Sequence, residues 1–245
     1  MLKNINLTVV EDYAALSVAS AKIFAAAVTQ NPTGNYGFAT GGTPEGMYEE
    51  LCKMSKAGEV DLTKISAFNL DEYVNLKPSD PQSYFYYMAH KLFDATGVPH
   101  ANRHIPKGDA PCPHEESARY EKLIANSGGI HFQILGIGTN GHIGFNEPAD
   151  TFARLTACVA LAEETINVNS RFFGNSEDVP RYAISMGMHT IMMAETLLLL
   201  ASGDSKAKIM REALMGPITP AVPASALQLH RNVIVIADKA AAKYL

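Results

Sequence analysis

Two runs in the second half of the chain, "TLLLLAS" at 196–202 and "NVIVIAD" at 232–238, are apolar at successive positions. Strand side chains alternate between faces, so such runs leave no face for water and must be covered on both sides, as strands between two helical layers are. Five further short apolar runs fit strands: 36–40, 65–70, 131–137, 156–161 and 181–186. Helical patterns lie between many of them, at 43–56, 81–94, 114–126, 187–194, 204–215 and 223–229. This alternation is the sequence mark of βαβ units, and the expected fold is α/β with a single doubly wound, mostly parallel sheet flanked by helices. No repeat or low-complexity linker interrupts the chain, so residues 1–245 read as one domain. Loop-rich stretches fall at 97–113, 169–180 and 216–223, and the segment 161–180 is a candidate lid.

With 47% hydrophobic and 18% charged residues, the chain can bury a sizeable core. Its net charge of -5 and scattered basic residues argue against a nucleic-acid partner, which needs a concentrated Lys/Arg face. Cys52, Cys112 and Cys158 lie far apart, as in a reduced cytosol rather than a disulfide framework. His100 and His104 are bracketed by Pro99 and Pro106, so one helix face is not expected to carry both, and no metal site is expected. The run "YAALSVASAKIFAAAV" is preceded by Glu11 and Asp12 and interrupted by Lys22, which suits an amphipathic first helix better than a secretory signal. No apolar window approaches 18 residues, so no membrane span is expected and a cytoplasmic location is.

In open α/β sheets, ligands bind beyond the carboxyl ends of the strands. Four segments there are rich in Gly, Asp, Asn, Thr and His. In "GIGTNGHIGFNEP", Gly136, Gly138 and Gly141 match the G-x-G-x-x-G spacing of a dinucleotide turn. That turn must open a helix, and the "HIGFNEPAD" that follows is poor helix material, so no dinucleotide cofactor is expected. The same glycines free the backbone to approach a ligand, while Asn140, His142, Asn146 and Glu147 supply side chains. A His and a Glu five residues apart suit proton transfer, since the carboxylate can orient the imidazole. A solvent-facing turn fits the spacing equally well.

In "LDEYVN", Asp71 and Glu72 follow an apolar strand, which places one carboxylate in the cleft as a general base or, alone, as a helix cap. "TGGTPEG" sets Gly42 and Thr43 at a helix start, where free N–H groups bind anions. "SGDSKAK" repeats the theme, with Gly203 and Ser205 at a helix start and Lys206 in reach of an anion. Together the two starts point to a phosphate pocket, over which Arg171, in "NSRFF", could close.

Taken together, "TGGTP", "LDEYVNL", "GIGTNGHIGFNEP", "NSRFF" and "LQLH" resemble the glucosamine-6-phosphate deaminase (isomerase) family, in its order, from residue 39 to residue 230. The resemblance implies a modified Rossmann-like domain and a sugar-phosphate substrate. It implies conversion of glucosamine 6-phosphate and water to fructose 6-phosphate and ammonia, without organic cofactor or metal. It also assigns roles: Asp71 moves the proton between C2 and C1, and His142 assists ring opening with Glu147 orienting it. Gly42, Thr43, Arg171 and Lys206 hold the phosphate. Some members carry Asp where this chain has Asn140, which cannot hold charge and is read as orienting the loop or the His. Galactosamine-6-phosphate isomerase and 6-phosphogluconolactonase are alternatives on the same scaffold, and the lactonase reaction needs no base at C2. A sugar-phosphate sensor would not require Asp71, His142 and Glu147 together. The assembly is expected to be a monomer or a homo-oligomer.

Overall fold

The computed structural model describes residues 4–175 and 177–245, with the side chains of Arg171 and Phe172 outside the description. Seven strands form one sheet: β1 (Ile5–Val10), β2 (Asn35–Phe38), β3 (Ser66–Asn69), β5 (Arg103–His104), β6 (Phe132–Leu135), β9 (Thr196–Ala201) and β10 (Val233–Asp238). Their order is β1-β10-β9-β6-β2-β3-β5, and each recorded pairing is parallel. From β2 the chain builds outward through β3 and β5, then returns to β6 on the other side and builds outward through β9 and β10. The strand order therefore reverses between β2 and β6, and such a reversal opens a crevice at the carboxyl ends of the two strands.

The helices cover both faces of the sheet. α1 (Tyr13–Gln30) begins at Asp12, whose side chain accepts from the Ala15 N–H at 2.8 Å. Its Phe24 ring packs against Tyr36 and Phe38 of β2 and Phe132 of β6, two neighbouring strands of the sheet. α2 (Gly42–Lys56) follows β2 directly. α3 (Tyr84–Met88) runs through a π-helical turn (Ala89–Phe93) into α4 (Asp94–Thr96), and α5 (Pro113–Asn126) leads back to β6. Leu197, Leu198, Leu199 and Leu200 are all buried, as their unbroken apolar run demands.

A second, three-stranded antiparallel sheet adds β4 (Asp71–Tyr73), β8 (Tyr182–Ser185) and β7 (Ala157–Ala160) in the order β4-β8-β7. Two of the expected strands, at 156–161 and 181–186, thus lie outside the main sheet. Leu70 is the bridge between the two sheets: its N–H donates to Phe38 O, and its carbonyl accepts from the Met186 N–H.

The stretch 169–180, expected as loop, is helical as far as residue 173, within α6 (Glu163–Phe173). Glu163 and Glu164 in its first turn favour the positive helix end. α6 docks through a small cluster separate from the main core, in which Ile166 packs with Tyr73, Phe145, Leu161, Val179 and Ala183. α7 (Met188–Met192) and α8 (Ala207–Met215) complete the helices; a 3-10 turn at Asp204–Lys206 precedes α8, and residues 223–229 form a 3-10 helix. No described helix is long and apolar enough to cross a membrane.

Candidate active site

The crevice at the β2/β6 reversal is a cleft of about 200 Å³, small for a site of this kind. Its walls are the β2–α2 turn, the loop after β6, Asp71, Tyr84, Lys206 and one face of α6.

Asp71 opens β4, where the chain leaves the main sheet and turns along the crevice floor. It is 5% exposed, and burial, reinforced by the neighbouring Glu72, pushes its pKa up to about 8. The adjacent Glu72 does not line the cleft. It accepts the N–H groups of Tyr73, Tyr84 and Phe85 at 2.8, 2.9 and 3.0 Å and so caps the start of α3. Burial raises its pKa to about 7 against these three bonds. The two carboxyls of "LDEY" therefore divide their work: Asp71 faces the ligand space and Glu72 serves the fold.

Across the cleft, the loop after β6 carries His142. The loop folds back on itself through Gly138 N–H to His142 O (2.9 Å) and Gly141 N–H to Gly138 O (3.0 Å). His142 Nδ1 is buried 3.2 Å from Glu147 Oε2, off the direction of a straight hydrogen bond. Asn140 braces both partners: its Nδ2 donates to Glu147 Oε2 at 2.8 Å, and its Oδ1 accepts the His142 N–H at 3.1 Å. The other Glu147 oxygen accepts from Thr165 Oγ1 of α6. Burial pushes the Glu147 carboxyl up, but His142, Thr165 and Asn140 outweigh it and hold it at about 2. Glu147 is thus a fixed anion beside the imidazole over the whole working range of pH.

The glycine spacing has a local cause. A Cβ at Gly138 would overlap the His142 ring, so the position is kept bare for the imidazole. Gly138→Ala is expected to lower catalytic turnover by about 10²-fold, the scale of a 1 Å misplacement, with the fold retained. Unchanged turnover with an unchanged far-UV circular dichroism spectrum would show that the ring position is not critical.

At the opposite end, α2 starts at Gly42 behind Gly41, whose φ is +101° and which offers no side-chain cap. Gly41, Gly42 and Thr43 line the cleft, as does Lys206. The second expected helix start differs: the Gly203 N–H donates to both oxygens of Asp238 at 3.0–3.1 Å, and the Ser202 hydroxyl also donates to Asp238. The chain's own carboxylate is bound just ahead of that start, and of "SGDSKAK" it is Lys206 that lines the cleft; Gly203 and Ser205 are not among the lining residues. The backbone of Arg171 lies in α6, and its side chain falls outside the described residues.

Three groups of the cleft carried no sequence signal strong enough to be singled out. Thr165 holds Glu147, and Glu164 accepts from Thr139 Oγ1 at 2.9 Å, so α6 is tied twice to the loop after β6. Tyr84 lines the floor beside Asp71, its ring stacked 6.2 Å from Phe145, and the aromatic run "SYFYYM" was its trace in the sequence. Among the described residues, no group of three or more His, Cys, Asp or Glu is placed to hold a metal.

A buried carboxyl of raised pKa across from an imidazole with a carboxylate 3.2 Å away, at the switch point of a doubly wound sheet, is the arrangement of an α/β enzyme site. The chain belongs to the family of glucosamine-6-phosphate isomerases and 6-phosphogluconolactonases, whose model matches residues 11–236. It is 49% identical over 235 residues to a glucosamine-6-phosphate deaminase of Halothermothrix orenii, spanning 96% of this chain and 98% of that one. A glucosamine-6-phosphate deaminase of a Thermoanaerobacter species is 47% identical over 234 residues, 96% of this chain and 92% of the relative. Among solved structures, a monomeric glucosamine-6-phosphate deaminase superimposes with a TM-score of 0.95 at 40% identity, covering 98% of this chain and all of that one. A 6-phosphogluconolactonase from Trypanosoma cruzi shares the fold, with a TM-score of 0.78 at 16% identity over 100% of this chain and 98% of its own.

Proposed function

We propose that the chain converts glucosamine 6-phosphate and water into fructose 6-phosphate and ammonia. The observation that carries the reading is the pairing of Asp71 with the His142–Glu147–Asn140 set across one small cleft. Relatives at 47–49% identity bearing the deaminase name support the same reaction.

The chemistry divides between the two walls. His142, its charge offset by the permanently ionised Glu147, moves the proton between the anomeric hydroxyl and the ring oxygen as the pyranose opens. Asp71 in its ionised form takes the proton from C2 while the substrate's ammonium gives one to O1, and it then returns its proton to C1 of the resulting enolamine to leave the imine. Water then adds to C2 of the imine and ammonia leaves. One base serves both carbons because they are adjacent, and its raised pKa brings proton affinity close to working pH. Asn140 fixes the imidazole loop and carries no proton itself. Gly42, Thr43, Lys206 and Arg171 bind the phosphate, remote from the reacting carbons, so that binding energy positions C1 and C2 over Asp71.

Ammonia release from glucosamine 6-phosphate, coupled to glutamate dehydrogenase, tests the reading in one assay. Sustained release is expected, with equimolar fructose 6-phosphate. No ammonia from either the gluco or the galacto amino-sugar phosphate would defeat it, and hydrolysis of 6-phosphogluconolactone by the same sample would establish the lactonase alternative.

A further inference from the structure

Two tyrosine hydroxyls shape the first turn of α2 from outside the cleft. In a regular helix the Gly46 N–H would donate to the Gly42 carbonyl. Here the Tyr13 hydroxyl stands between them, accepting from the Gly46 N–H at 2.8 Å and donating to Gly42 O at 2.9 Å. One residue earlier, the Tyr87 hydroxyl donates to Gly41 O at 2.8 Å. Tyr13 comes from α1 and Tyr87 from α3, and neither lines the cleft.

The consequence follows from peptide geometry. In a trans peptide the C=O and N–H point in opposite directions. Anchoring the carbonyls of Gly41 and Gly42 on the tyrosines turns the Gly42 and Thr43 N–H groups the other way. As the first residues of a helix, those groups have no acceptor within it. A Cβ built at Gly42 would meet nothing within 4 Å, so protein packing does not require a glycine there and the space stands open to a ligand. Two successive glycines also leave the peptide planes free to flip, and a flip would aim a carbonyl oxygen at a bound anion.

We infer that Tyr13 and Tyr87 are positioning residues of the phosphate cradle: their hydroxyls lock the two peptide planes whose N–H groups receive the anion. The inference rests on the reading of the α2 start as the phosphate site.

Its test compares wild type with Tyr13→Phe, Tyr87→Phe and Lys206→Ala. For each, kcat and KM with glucosamine 6-phosphate are measured, together with the inhibition constant of inorganic phosphate and the thermal midpoint. The phenylalanine variants keep the rings and so leave no cavity. Loss of one such hydrogen bond is expected to raise KM and the phosphate inhibition constant together by about two- to tenfold, with kcat unchanged. The effect of Tyr13→Phe is expected to be the smaller, because the Gly46 N–H can then bond Gly42 O directly. If both constants stay at wild-type values in the two phenylalanine variants, the tyrosines only support the fold, whatever the thermal midpoint does, and the inference is overturned. Should Lys206→Ala raise the constants in that case, the cradle reading stands without the tyrosines. If phosphate does not compete with substrate in wild type, the cradle reading fails and the inference falls with it.

Discussion

Asp71→Asn is expected to lower kcat for ammonia release by about 10²–10⁴-fold, the range for loss of a positioned general base. The same change is expected to make the folded chain more stable near neutral pH. Burial raises the Asp71 pKa from 3.8 to about 8, so the folded state holds a proton that the unfolded chain releases. Stability of the native enzyme therefore falls as pH rises from about 4 to about 8, because the unfolded state binds fewer protons across that window. At pH 7 the gap spans about three pKa units, an upper limit of roughly 4 kcal/mol. Asn carries no such penalty. The variant's thermal midpoint should exceed that of wild type by several degrees at pH 7–8, and the difference should vanish toward pH 4. A variant that keeps a tenth of wild-type turnover, or that is less stable than wild type at pH 8, would remove Asp71 from the role given to it.

His142→Gln is the second large effect, an expected loss of about 10²–10³-fold in kcat with glucosamine 6-phosphate. His142 is assigned to the ring-opening step, so the loss should be confined to substrates that must open. The reduced, open-chain amino-alditol 6-phosphate has no ring to open, and its affinity should change far less than turnover does. Equal losses in turnover and in affinity for the alditol would mean that His142 shapes the cleft instead of moving a proton. Glu147 makes the distinction physical. Its carboxylate is held ionised by His142, Thr165 and Asn140 against the effect of burial, which leaves it as a counter-charge and not as a second proton carrier.

Much of this arrangement was legible in the chain, for identifiable reasons. The buried strands β9 and β10 announce themselves because nothing polar interrupts them. β1 did not, since as an edge strand it shows water most of its side chains. β4 and β5 are three and two residues long, too short for any periodicity to register. The sequence places Asp71 and Glu72 directly after one strand at 65–70; in the structure that strand ends at Asn69, Leu70 links the two sheets, and Asp71 opens a second short strand beside the cleft. α6 escaped because "EETINVNSRFF" combines Asn, Thr and β-branched residues that are indifferent helix formers, and its stability comes from packing Ile166 against Tyr73 and Phe145. His142, Glu147 and Asn140 could be named from one loop because a short stretch of chain carries all three. Thr165 and Tyr84 could not, because they reach the cleft from distant elements.

The most direct test of the account is the structure of the enzyme with the open-chain amino-alditol 6-phosphate bound. The phosphate is predicted to lie on the Gly42 and Thr43 N–H groups with Lys206, and C1 and C2 within about 3–3.5 Å of the Asp71 carboxyl. His142 should face the oxygen that closes the ring. A ligand bound in the reverse sense, with its phosphate beside His142 and its amino-bearing carbon away from Asp71, would contradict it.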